Sequence, residues 1–170
     1  MPVGALVLPK SIIVGYRNAT RQSLTPDACL LTALDQSLNE STVRGATLLS
    51  GSRVLLDRKE KIEAANIYGL QHPSFVDMES AACARAAIER GVPWGVLRVV
   101  TDSIDDKMPL DFNRLNDHNG QPNLLKIILA CLIRPNSIPG LIQLGNRAKS
   151  GTASLHAALY DFCRTVGAPR

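Results

Sequence analysis

Glu79 and Asp102 are carboxylates placed where they could do chemistry, in the stretch FVDMESAACARAAIERGVPWGVLRVVTDSIDD over residues 75–106. The stretch reads as strand, helix, strand, with Glu79 at the first junction and Asp102 just past the second strand. In a parallel α/β layout both positions lie at the carboxyl edge of the sheet, where open α/β folds gather their ligands. A carboxylate there accepts hydrogen bonds from hydroxyls, as on a sugar. A protonated acid beside it can donate to a leaving group. Each residue also has a plainer reading. Glu79 alone is what the first turn of a helix prefers electrostatically. Asp102 alone fits a turn or cap, with Asp105 and Asp106 equally available. It is the two acids together, separated by about one strand-helix-strand unit, that point to a site.

The elements that must position them follow from periodicity and punctuation. Short strands are expected over 5–8 and 11–14, separated by Pro9. Thr25, Pro26 and Asp27 make a helix start, with Thr25 as the cap, and Leu31, Leu34 and Leu38 line one face behind it. A β-branched strand over 42–49 ends in Ser50-Gly51-Ser52. Asp57 caps a charged helix over 58–68, which Gly69 terminates. A short strand over 74–78 leads into an alanine-rich helix over 80–90, whose small side chains let it lie close against a sheet. The apolar run over 94–100 is expected as a strand buried on both faces. A polar loop over 101–121 and three helices, over 123–133, 138–149 and 154–166, complete the chain. The alternation is that of an α/β domain with right-handed crossovers.

At 170 residues the chain fits one domain, 1–170, with a respectable core. Hydrophobic residues make up 45% and charged residues 20%, so it is globular and not a disordered tail. The net charge of +4 is scattered, with no basic run or basic-aromatic alternation, so no nucleic acid partner is expected. Four cysteines, Cys29, Cys83, Cys131 and Cys163, and three dispersed histidines lack the tight spacing of a zinc site. Cys83, Cys131 and Cys163 fall in apolar helical patterns and are expected as small buried hydrophobes. A reduced, cytoplasmic protein is the expectation. Residues 1–17 do not form a signal peptide, and no apolar run approaches the ~20 residues a membrane span requires.

VDMESAA followed by VPWGVLRVVTD resembles the signature of the purine nucleoside phosphorylase and nucleosidase superfamily, which includes the methylthioadenosine/S-adenosylhomocysteine nucleosidases. The tail ACLIRPNSIPGLIQLGNRAK is similar to a narrower branch associated with hopanoid biosynthesis, whose substrate is adenosylhopane. The resemblance implies a three-layer α/β/α sandwich and cleavage of a purine N-glycosidic bond by water or phosphate. It implies that Met78 and Glu79 bind the ribose, with Glu79 taking the 2′- and 3′-hydroxyls. Asp102 would then donate to N7 of the departing purine, and Thr101 would orient it. Asp102 can donate near neutral pH only if burial or a relay supplies its proton. The backbone after the strand-Ser-Gly element, at Val54, would contact the base. Here Ser52 and Val54 stand where the family often has an aspartate and an aromatic, which leaves base stacking open. No metal or organic cofactor is implied; phosphate is the co-substrate of the phosphorolytic alternative. The implied partners are a purine nucleoside and further copies of the chain.

Two features qualify this picture. The resemblance starts at VGALVLP, which matches the middle of the family fold, so its first strands and glycine-rich loop are expected to be absent. The alternative is therefore a truncated, non-catalytic remnant or nucleoside-binding module. The helical tail is also apolar on nearly every face from Leu124 to Ile133. Packing against the sheet is the expectation for it. A lipid-like substrate, a membrane face or a partner subunit are the functional alternatives, with Lys126, Arg134, Arg147 and Lys149 suited to anionic lipid.

Overall fold

The computed structural model describes residues 1–15, 22–115 and 123–167. The elements are β1 (Leu6–Gly15), β2 (Gln22–Leu24), α1 (Ala28–Ser37), β3 (Val43–Gly51), α2 (Arg58–Ile67), β4 (Ser74–Asp77) and α3 (Ser80–Glu89). Then come β5 (Arg98–Val99), α4 (Phe112–Leu115), α5 (Leu124–Ile133), a 3-10 turn (Pro135–Ser137) and α6 (Ile138–Gly167).

β1 is the spine of the sheet. β3 runs parallel to it along one edge from Val7 to Gly15, and β4 runs parallel to β3. Two short antiparallel strands share the opposite edge, β5 at Leu6 and Val7 and β2 at Ile12 to Val14. Side chains alternate across the sheet with period two. Ile12, Val14 and Leu48 face α3, where Ala81 and Ala84 press onto them. Ile13 and Leu49 face α2, where Ala64 closes the second cluster with Leu55, Tyr68 and Leu70. Helix, sheet and helix make the three-layer α/β/α sandwich, with a helical carboxyl-terminal arm.

The structure corrects several expectations. Residues 5–14 hold one strand, not two. Pro9 has no N–H for the ladder, and register shifts at Leu8/Pro9 and Pro9/Ser11 absorb it. The cap of α1 is Asp27, whose Oδ1 accepts from the Leu30 N–H at 2.8 Å. The run 94–100 is not a doubly buried parallel strand. Among the described residues only Arg98 and Val99 find ladder partners, opposite Val7 and Leu6, and β5 runs antiparallel to β1. Trp94 and Val96 pack onto the first core cluster instead. The helices over 138–149 and 154–166 are one, because Gly151 is no break. It is buried, and a Cβ there would meet Val99 Cγ1 at 2.8 Å, so glycine lets α6 lie directly on β5. Of the polar loop over 101–121, α4 forms its only helix among the described residues, and 116–121 lie outside them. Cys83 and Cys163 are exposed and Cys131 is only half-buried, so none is the buried small hydrophobe expected. Finally, α5 does not pack its apolar residues away: none is buried.

Candidate active site

The start of α3 is built by residues other than Glu79. Asp77, at the end of β4, accepts from the Ser80 N–H at 3.3 Å and from the Ser80 hydroxyl. Ser50, buried at the end of β3, accepts from the Ala81 N–H at 3.0 Å. Asp77 and Ser50 thereby satisfy the N–H groups that a helix start leaves without partners. Glu79 occupies the cap position without capping: its side chain makes no cap hydrogen bond. It turns instead to β5, where Arg98 Nη2 donates to Glu79 Oε2 at 2.6 Å and lies 2.7 Å from Asp77 Oδ2. The Met78 N–H approaches the same Oε2 at 3.4 Å. With Glu79 61% exposed, this ion pair adds little stability. Its effect is to orient the carboxylate, and Oε1 accepts no hydrogen bond among the described residues.

Asp102 is held in a parallel way by a different element. Lys61, on α2 and only 13% exposed, places Nζ 2.7 Å from Asp102 Oδ2, 2.6 Å from the Ser103 carbonyl and 3.0 Å from the Asp106 carbonyl. All three ammonium hydrogens are committed. Asp102 Oδ1 receives only the Thr101 hydroxyl, at 3.4 Å. The neighbouring acids have partners of their own. Arg58 pairs with Asp105, and Arg147 from α6 reaches Asp106 at 2.9 Å. The Ser103 N–H donates to Asp106 at 2.7 Å and, ahead of Arg147, holds its carboxyl below the usual range.

The backbone of Val54 is paired with Asn113. The Val54 N–H donates to Asn113 Oδ1 at 2.8 Å, and Asn113 Nδ2 donates to the Val54 carbonyl at 3.0 Å. This two-point edge is what the amide backbone could offer to a purine. Ser52, Arg53, Leu56, Glu60 and Asn113 line a cleft of about 580 Å³ beside it. A second cleft, of about 730 Å³, lies between Leu56, Lys107–Asp111 and the α5–α6 corner. Neither is lined by Met78, Glu79, Thr101 or Asp102.

The predicted residues thus form three clusters: Met78 and Glu79 around Arg98, Thr101 and Asp102 around Lys61, and Val54 against Asn113. No hydrogen bond or ion pair joins the clusters among the described residues. The first two are linked along the chain, through the five residues from Arg98 to Asp102. In the first two, a cation fixes one oxygen of each acid; among the described residues the other oxygen accepts no hydrogen bond in Glu79 and only that of the Thr101 hydroxyl in Asp102. Sequence reasoning missed both cations. Arg98 was findable, since a lone cation inside the run WGVLRVV requires a carboxylate. Lys61 was not, because nothing in RKEKIE separates it from Lys59. Asn113 carried no signal either.

No curated protein sequence matches the chain. Among solved structures, the fold is similar to the 5′-methylthioadenosine/S-adenosylhomocysteine nucleosidase of Neisseria meningitidis, with a TM-score of 0.55 and 20% identity over 67% of this chain and 55% of that one. The corresponding nucleosidase of Helicobacter pylori gives 0.54 and 17% over 78% of this chain and 61% of the other. That of Campylobacter jejuni gives 0.53 and 16% over 84% and 62%. The chain therefore spans less than two thirds of the length of these relatives. Residues 1–133 match the phosphorylase superfamily, and on that match, which takes in well over half its residues, the chain belongs to this family.

Proposed function

We propose that this chain carries the ribose- and base-facing groups of a site that cleaves a purine N-glycosidic bond. The observation that carries the reading is the shared geometry of Glu79 and Asp102, each with one oxygen fixed by Arg98 or Lys61 and the other held by no cation among the described residues. Glycosidic cleavage needs two such groups. As the C1′–N9 bond breaks, its electron pair goes to the base and positive charge develops on the ribose. Glu79, beside Met78, holds the 2′- and 3′-hydroxyls through its open oxygen and stabilises that positive charge. A proton from solvent, relayed to N7 by way of Asp102, which Thr101 and Lys61 orient, neutralises the departing base. Water or phosphate then adds at C1′. The Val54 backbone receives the base once Asn113 gives way.

An adenosyl-type substrate with a large apolar 5′ group, such as adenosylhopane, is the finer form of this proposal. Its support is the likeness of the tail over 130–149 to the hopanoid-associated branch. The group that activates water or holds phosphate is not assigned among the described residues. Association into a homo-oligomer and a cytoplasmic location belong to the same reading, the latter supported by four free cysteines.

Calorimetry with adenosine and chromatographic detection of released adenine test it. Binding by the wild type and about tenfold or greater weakening in Glu79→Gln are expected. In an active form, Asp102→Asn should slow release by roughly 10²-fold or more. No detectable nucleoside binding, or wild-type release by Asp102→Asn, sinks the proposal. Binding without release under either water or phosphate selects the nucleoside-binding alternative. Release that requires phosphate and yields a ribose 1-phosphate identifies phosphorolysis.

A further inference from the structure

α5 is amphipathic in the wrong sense for a helix docked on its own sheet. Leu124, Leu125, Ile128, Leu129, Leu132 and Ile133 fall on one side at helical spacing, and that side is the exposed one, between 49% and 79% accessible. Ile127, Ala130 and Cys131, on the opposite side, are half-buried. Single exposed apolar residues are ordinary, but six on one face of ten residues form a contiguous patch of the kind that marks an interaction surface. Ile138 and Ile142 extend it onto the first turns of α6, beyond a bend of 111°.

Charge identifies the occupant. Between residues 124 and 167 the chain carries Lys126, Arg134, Arg147, Lys149 and Arg164 against one acid, Asp161. That segment alone accounts for the whole net charge of +4. Of these cations, Lys126 and Arg134 lie on α5 and directly after it, and Lys149 lies exposed on α6. A second copy of the chain is a poor match, because a two-fold contact places each patch, with its cations, against itself. A surface that is apolar within and anionic at its rim matches both properties.

We infer that α5 and the start of α6 form a docking face for an anionic lipid surface, with α5 lying in the headgroup–acyl boundary. No single described helix is long and apolar enough to cross a membrane. α5 itself is about 15 Å long against the roughly 30 Å of a hydrocarbon core, so it lies on the bilayer and does not span it. The leucines and isoleucines enter the acyl region, while the exposed Arg134 and Lys149 supply positive charge toward the headgroups. The site groups at Glu79 and Asp102 take no part in this contact, so the inference stands independently of the proposed activity.

Co-sedimentation of the 170-residue chain with phosphatidylglycerol vesicles and with phosphatidylcholine vesicles tests it, alongside light scattering for mass. Sedimentation with the anionic vesicles, weakened about tenfold by Leu125→Glu with Leu132→Glu and also by 0.5 M salt, is the expected result. These positions are exposed, and circular dichroism checks that the variant keeps its fold. Arg134→Glu with Lys149→Glu should lower binding to anionic vesicles while leaving the fold unchanged. No sedimentation with either vesicle overturns the inference. Equal binding to both overturns the anionic assignment. A dimer that Leu125→Glu with Leu132→Glu dissolves, in a protein that ignores vesicles, assigns the face to a second copy.

Discussion

Leu48 on β3 is 0% exposed and Leu125 on α5 is 79% exposed, although α5 is the more aliphatic of the two runs. The sheet places its apolar side chains between two helices, so alternation of the strand decides their fate. Among the described residues no layer covers the arm, and its apolar face looks outward. Hydrophobic content alone therefore does not distinguish core from docking surface; what decides is whether a second layer exists. The sharpest test is a pair of truncations. Leu48→Ala should cost about 3–5 kcal/mol, from lost transfer energy plus the cavity left between α3 and the sheet. Leu125→Ala should stay within about 0.5 kcal/mol. Urea denaturation of both measures the difference, and equal losses would show that α5 is buried in solution.

The same contrast divides the cations of α2. Lys61 is nearly covered and holds three oxygens of the 102–106 segment, whereas Arg58 and Asp105 are 59% and 70% exposed. Lys61→Met should cost about 2 kcal/mol, because it strips Asp102 and two carbonyls of their donor. Arg58→Met should change stability by no more than about 0.5 kcal/mol. If the two are equal, the lysine is not what holds the Asp102 segment.

α6 crosses both regimes and offers a test within one helix. Gly151 lies against Val99, while a Cβ at Gly145 would meet nothing within 4 Å. Gly151→Ala should destabilise by about 1–2 kcal/mol through overpacking against β5. Gly145→Ala should stabilise by about 0.5–1 kcal/mol, through helix propensity alone. Thermal melts giving both substitutions the same sign would show that α6 does not rest on β5.

What was legible in the sequence follows the same division. Asp57 as a cap, Gly69 as a stop and the packing of Ala81 and Ala84 were readable because each depends on neighbours within a few residues. The reach of β5 was not. It depends on where the run meets β1, at Leu6 and Val7, which is a contact between distant segments. The merging of the last two predicted helices was hidden for a similar reason: Gly151 looks like a breaker until Val99 is seen beneath it. At the site, the acids were legible from their junctions, but their cations come from α2 and β5. Pairing across the fold leaves no local pattern, except where a charge interrupts an apolar strand, as Arg98 does.

The smallest effect concerns how the arm is tied to the site. Arg147 on α6 and the Ser103 N–H both hold Asp106, the backbone hydrogen bond being the larger influence, and together they lower its pKa from the ordinary value of 3.8. A carboxyl depressed in the folded state stabilises the fold above its unfolded value, and that contribution is lost as the pH falls through the lower folded value. Asp106→Asn should therefore be less stable than the wild type at neutral pH. The gap should close only as the pH drops below 3.8, because the wild type then protonates the same group. Arg147→Gln should reproduce part of this closing gap, since it removes the weaker of the two influences. Urea midpoints followed from pH 7 to pH 3 measure both. A gap that stays constant across that range would mean that Asp106 does not titrate differently in the folded chain, and that the arm is anchored to the 102–106 segment by packing and not by this charge.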